Sequence, residues 1–330
     1  MREIVNASFD DLTESLLQSD HPVVLRDLVA DWPMVKAAKL DAALALNSLL
    51  ECYRGRPVST FLGEASIEGR FFYNDDMTGF NFLQLDSRLD EVIAKLIEIA
   101  SDDQPPALYV GSTNLDAWLP GFRDAHDLPL SGLNPIASLW LGNRSRIAPH
   151  FDLPQNIACC VVGRRRFTLF PPEQIKNLYV GPLDITPAGQ PISLVDFSHI
   201  DTARFPRAGQ ALEASMSVEL GPGDAILIPS MWWHQVEGLE PINVLVNYWW
   251  SRAPEMAASP NDALLHALLS IRHLPDDMRS AWKAFFDYYI FDAEPDSHSH
   301  IEDSALGRLG PLDNNRAKRM RAILLNQLKR

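Results

Sequence analysis

Three short runs decide the fold: Ile147-Ala148-Pro149-His150-Phe151-Asp152, Ile157-Ala158-Cys159-Cys160-Val161-Val162 and Arg164-Arg165-Arg166-Phe167-Thr168-Leu169-Phe170. Each is strand-length, rich in β-branched or aromatic residues, and bounded by turn formers such as Pro154, Gly163 and the pair Pro171-Pro172. The rhythm continues outward, with similar runs at 107–111, 138–142, 217–220, 225–229 and 242–250. Gly221-Pro222-Gly223-Asp224 reads as a tight turn into the run at 225–229. Many short strands at this spacing predict a β-sandwich or barrel over about 105–255.

The flanks read differently. Residues 1–52 are expected to be mainly helical, with Ser8 capping a turn that carries Phe9, Leu12, Leu16 and Leu17, and Asp41 capping one that carries Ala42, Leu46, Leu49 and Leu50. Between them His21-Pro22-Val23-Val24-Leu25 looks like a short buried strand. An amphipathic helix is expected at about 87–100 (Leu89, Val92, Ile93, Leu96, Ile97). Helices return after about 255, with stripes at Leu264, Leu265, Leu268, Ile271 and at Met320, Ile323, Leu324, Leu328. The expected organisation is therefore a segment at 1–104 packing on the barrel, the barrel at 105–255, and a helical segment at 256–330.

Composition narrows the function classes. The chain has 330 residues and a net charge of −14, so its overall field repels nucleic acid and anionic membrane surfaces. From Met1 to Asp11 there is no apolar signal core, and nowhere is there a membrane-length apolar stretch; neither export nor membrane spanning is expected. Cys52, Cys159 and Cys160 cannot build a disulfide framework, and adjacent cysteines on opposite strand faces pair poorly. A reducing cytoplasm is the expected setting.

Strand alternation carries the chemistry. In His150-Phe151-Asp152 the histidine and aspartate share one face, offering two metal ligands, and His234 lies where a neighbouring strand can add a third. Two histidines and one carboxylate make the facial triad of non-haem Fe(II) oxygenases. By itself the triplet is weak evidence, since a histidine beside an apolar residue is more often a hydrogen-bonded core residue. Alternation also puts Arg165 on the apolar face with Phe167 and Leu169, opposite Arg164, Arg166 and Thr168. The bland reading is a frayed strand edge with all three arginines solvated, or Arg165 paired with a protein carboxylate; an inward guanidinium would otherwise suit the far carboxylate of a dicarboxylate ligand.

Longer motifs sharpen this reading. His150-x-Asp152-x-x-Gln155-Asn156, Gly163, Phe170-Pro171-Pro172-Glu173-Gln174, Leu178-Tyr179, Val195-Asp196-Phe197 and Arg204-Phe205-Pro206 are followed in order by Gly221-Pro222-Gly223-Asp224, Ile228-Pro229, Trp232-Trp233-His234 and Val246-Asn247-Tyr248-Trp249. This series resembles the JmjC-type cupin oxygenases, in particular the asparaginyl hydroxylase that inhibits hypoxia-inducible factor and the bacterial cupin-like proteins related to it. The resemblance covers about 105–250, and Pro22-Val23-Val24-Leu25-Arg26 with Asp31-Trp32-Pro33 extends it more loosely.

The resemblance implies a double-stranded β-helix, the jelly-roll cupin fold, mainly β with flanking helices. It further implies Fe(II) held by His150, Asp152 and His234, with 2-oxoglutarate as cosubstrate. Arg165 stands where the family has a cosubstrate-binding lysine; Tyr109 matches an assisting tyrosine, and Asn156 and Asn247 match asparagines near the cosubstrate. Ile147 replaces a family threonine, removing one hydroxyl. The implied activity is a dioxygenase, most simply a hydroxylase of a protein or peptide side chain, with demethylation as a related outcome. The competing reading is a non-catalytic cupin that binds a metal or a small acidic ligand. The resemblance also implies a homodimer through the C-terminal helices, whose apolar faces, including Trp282, Phe285, Phe286, Tyr289 and Ile290, exceed what a barrel exterior accepts; the alternative is that these helices fold back over their own barrel.

Other features read as bland. His298-Ser299-His300 sits in a polar stretch and is expected to be a solvated loop. The basic cluster Arg316, Lys318, Arg319, Arg321, Lys329 and Arg330 is expected to be a solvated helix face, and Trp232, Trp233, Trp249 and Trp250 chiefly core, with alternate members able to wall the site.

Overall fold

Residues 136–250 form eight strands shared four and four between two facing sheets. The computed structural model describes residues 1–294 and 296–329, with the side chain of Ser131 also outside the description. In chain order the strands are β1 (Arg2–Ile4), β2 (Val23–Leu25), β3 (Val58–Gly63), β4 (Arg70–Phe71), β5 (Phe82–Ser87), β6 (Ala107–Asn114) and β7 (Ile136–Gly142). They continue as β8 (Ser145–Phe151), β9 (Gln155–Val162), β10 (Arg165–Phe170), β11 (Met216–Leu220), β12 (Ala225–Ile228), β13 (Trp233–Gly238) and β14 (Asn243–Trp250).

The larger sheet runs β1-β2-β12-β9-β14-β7-β6-β3-β5 and the smaller β11-β10-β13-β8-β4. Within the eight-strand core, β7, β9, β12 and β14 fall in one sheet and β8, β10, β11 and β13 in the other, all antiparallel. This is the double-stranded β-helix of a jelly-roll cupin, extended by strands from the N-terminal segment.

The larger sheet is buried on both faces at β9, which is why that strand reads as an unbroken apolar run. Its outer face (Cys159, Val161, Val244, Val246, Tyr248) joins Met34, Val35, Leu46, Leu49, Leu89 and Ile93 from the helices Pro33–Ala38, Ala42–Cys52 and Leu89–Glu98. Its inner face (Ala158, Cys160, Ile226, Leu245) meets Phe167 and Leu169 of the smaller sheet. Cys159 and Cys160 thus lie in different cores, buried and unpaired, as their adjacency on a strand requires. Asp41 caps Ala42–Cys52 through Leu44, satisfying one of the free N–H groups at the helix start.

The outward face of the smaller sheet is charged and cross-paired, with Arg166 bonded to Glu219 and near Glu237. Gly163, in the β9–β10 turn, has φ +75°, and a Cβ there would fall 2.5 Å from the Ile242 carbonyl oxygen, so only glycine fits. The long connection from β10 to β11 packs Ile192 and Ala188 against Tyr73 and Ala148, and so helps enclose the barrel interior.

The chain divides into two compact units, Met1–Arg252 and Ala253–Arg330. The second holds the helices Pro260–Ser270, Asp276–Phe286 and Asn314–Leu328. Among its described residues only Ala317 is buried, while Leu265, Leu269, Phe285, Ile290, Phe291, Leu325 and Leu328 are each more than half exposed. No helix among the described residues is long and apolar enough to cross a membrane.

Candidate metal centre

β8 and β13 are hydrogen-bonded neighbours, and their register pairs His150 directly with His234. The two rings face the barrel interior with centroids 4.3 Å apart. Asp152 follows the end of β8 with its carboxylate 3.7 Å from the Nε2 of His234, and potential ligand atoms of all three residues lie within 4.8 Å of one another. His234 lies on β13, the strand neighbouring β8, beside a register shift between His234 and Val236. Such bulges re-aim side chains next to sites.

The imidazoles are oriented by the backbone. His150 Nδ1 bonds the Ala148 carbonyl at 2.9 Å, and His234 Nδ1 bonds the Trp232 carbonyl at 3.0 Å. A carbonyl only accepts, so each Nδ1 carries the proton and each Nε2 presents a lone pair, the arrangement that suits a metal ligand. Burial and the adjacent His234 lower the His150 pKa to about 4, so that ring is neutral at ordinary pH. Two imidazole nitrogens and a carboxylate converging in this way fit a divalent first-row transition metal.

The centre opens into a cavity lined by Phe61, Phe71, Tyr109, Trp140, Arg165 and Trp249 among others. Arg165 is 1% exposed, and none of its three guanidinium nitrogens has a hydrogen-bond partner. Burying a cation without a hydrogen-bond partner is costly. Tyr109 lies beside it; burial pushes the phenol pKa up, and the neighbouring Arg165 charge opposes that rise. The same burial pushes the Cys160 thiol up to about 12, leaving it inert.

Residues 10–256 match the family model described as a cupin-like domain. The chain belongs to that family. Among curated proteins this cupin-like chain is 31% identical over 166 residues to the lysine-specific demethylase JMJ31 of Arabidopsis thaliana, covering 50% of this chain and 29% of that one. It is 30% identical to human HSPB1-associated protein 1, covering 78% and 53% respectively. It is 25% identical to the Jumonji C domain-containing protein 5 of Drosophila melanogaster, covering 74% and 58%. The cupin-like chain thus spans less than two thirds of the length of each of these relatives.

The residues expected from the sequence, His150, Asp152, His234, Tyr109, Asn156, Arg165 and Asn247, all line this one cavity. Asn156 and Asn247 are not open amides. Asn247 donates to Asn156 Oδ1 at 3.1 Å, and Asn156 donates to Asp152 Oδ2 at 3.1 Å. Sequence reasoning allowed alternate tryptophans to wall the site but did not give their hydrogen bonds: Trp249 donates to the same Asp152 oxygen at 3.0 Å, and Trp140 donates to Asn247 Oδ1 at 2.8 Å. Along β14, Leu245, Asn247 and Trp249 share the inward face. No periodic signal marks Pro187, Ala188 and Ile192, which come from the β10–β11 connection.

His298 and His300 belong to no metal-type cluster among the described residues; the His298 ring packs against Tyr288 and Tyr289. Of the basic cluster, Lys318, Arg319 and Lys329 are exposed, whereas Arg316 and Arg321 bond the carbonyls of Gly307 and Met256; Arg330 lies outside the described residues.

Proposed function

We propose that this chain is an Fe(II)- and 2-oxoglutarate-dependent oxygenase that hydroxylates a protein or peptide side chain. The observation that carries this reading is the pairing, in one cavity, of the His150, Asp152 and His234 donor set with the unpartnered Arg165 guanidinium. His150, Asp152 and His234 would hold the metal; Arg165 would take the far carboxylate of 2-oxoglutarate, assisted by the Tyr109 hydroxyl. When bound, iron and cosubstrate supply the oxidising power, one atom of dioxygen going to the substrate and the other to succinate.

The chain's own residues perform the rest. Arg165 fixes the cosubstrate by a charge-assisted fork, and the backbone carbonyls that hold Nδ1 of His150 and of His234 turn both rings toward the site. Phe61, Phe71, Ile147 and Ile192 keep the cavity dry. One relative is named a lysine-specific demethylase. Hydroxylation of an uncharged side chain is favoured here because Asp152 is the sole carboxylate among the cavity-lining residues, leaving no second acid to receive an ammonium group. The free cysteines fit a reducing compartment such as the cytoplasm. The exposed apolar helices of the unit Ala253–Arg330 favour a homodimer formed through them.

A second reading, a cupin that binds metal or a small acid without turnover, draws on Ile147, which brings a hydrocarbon surface to the cavity where a hydroxyl would aid the cosubstrate. Calorimetry separates the two. With Mn(II) in place of iron, the oxygenase reading expects 2-oxoglutarate to bind the metal-loaded protein with micromolar affinity; metal binding with no 2-oxoglutarate heat contradicts it.

A further inference from the structure

Trp249 and Trp140 have no place in the donor set, yet their indole N–H groups enter one hydrogen-bonded network that ends on Asp152. Trp249 reaches Asp152 Oδ2 directly at 3.0 Å. Trp140 reaches it through two amides: Trp140 to Asn247 Oδ1 at 2.8 Å, Asn247 to Asn156 Oδ1 at 3.1 Å, Asn156 to Asp152 Oδ2 at 3.1 Å. An indole N–H only donates, and that fixes the sense of the whole chain. Trp140 forces the Asn247 oxygen toward itself, so the Asn247 amide nitrogen faces Asn156, whose own nitrogen then faces the carboxylate. An asparagine amide is otherwise free to sit either way round.

The two rings also brace one another, edge to face at 5.8 Å. Asn156, Asn247 and Asp152 are 5%, 1% and partly exposed, so little water competes for these bonds. The residues come from β7, β9 and β14, three neighbouring strands of the larger sheet, whereas both histidines stand on the smaller one. The network therefore ties the carboxylate ligand to the sheet opposite its histidine partners.

We infer that Trp249 and Trp140 are positioning residues for the metal: by delivering two N–H donors to one oxygen of Asp152, they hold its carboxylate turned toward His150 and His234. This inference rests on the metal reading above. Without the network the carboxylate can rotate away, and the donor set must be assembled each time the metal binds. Partners of metal ligands contribute 10- to 100-fold to affinity in other sites, so an effect of about tenfold is expected here.

The test is calorimetric titration of Mn(II) into the full chain, with Co(II) absorption in the visible as a second readout. Trp249→Phe and Trp140→Phe keep an aromatic ring and lose the N–H; Trp118→Phe, whose indole bonds the Pro57 carbonyl, is the control. Both cavity variants, shown folded by circular dichroism, should bind Mn(II) about tenfold more weakly and shift the Co(II) bands, while the control matches wild type. Wild-type affinity and wild-type bands in the folded Trp249→Phe and Trp140→Phe proteins overturn the inference. Failure of the wild type itself to bind Mn(II) overturns the metal reading instead, so the two failures are distinguishable.

Discussion

In the proposed function Arg165 anchors the cosubstrate. Its side chain is fully enclosed and no protein group hydrogen-bonds its three nitrogens, so burying its charge costs the fold stability. Arg165→Met should raise the apo melting temperature, because it replaces that charge by hydrocarbon of similar length, while weakening 2-oxoglutarate binding at least tenfold and leaving Mn(II) affinity near wild type. Scanning calorimetry paired with titration reads both effects, and an unchanged cosubstrate affinity would remove Arg165 from the proposed role. His150 gives a pH signature. Its pKa falls from the ordinary 6.5 to about 4 on folding, so between those values the unfolded chain binds more protons than the folded one. Apo stability contributed by this group is complete above about pH 6.5 and is lost as pH falls toward 4. Denaturant unfolding of apo wild type at pH 7 and pH 5 should show the decline, and His150→Leu should reduce it; an equal decline in both refutes the assignment.

At the scale of elements, alternation made much of the site legible. His150 with Asp152, and Arg165 with Phe167 and Leu169, were readable because strands of period 2 commit every second side chain to one face. β13 was hidden: its polar and aromatic residues, Trp233 to Gly238, carry a bulge that breaks the alternation at Gln235. The β10–β11 connection was hidden for a different reason, being held by turns and tertiary packing rather than by any repeat. Helix stripes were legible too, but not what they face. Leu324 and Leu328 of the helix Asn314–Leu328 remain 47% and 57% exposed, as a surface awaiting a partner would. Leu324→Arg with Leu328→Arg should convert a homodimer into a folded monomer by light scattering. A wild type that is monomeric at micromolar concentration contradicts the dimer.

The whole molecule joins two sheets whose facing surfaces have different tasks. The smaller sheet supplies both histidines and Arg165; the larger supplies Tyr109 and, through the asparagine and tryptophan network, the support for Asp152. The site exists only where both sheets close on each other, which is why so many separated sequence blocks had to be present in order before the reading became specific. The most direct measurement is succinate formation from 2-oxoglutarate by the purified full chain with Fe(II), ascorbate and air, compared with Asp152→Ala verified as folded by circular dichroism. The account predicts succinate from the wild type, with turnover lower in the variant by about a hundredfold or more. Equal succinate from both proteins, or none above background from the iron-loaded wild type, would contradict it.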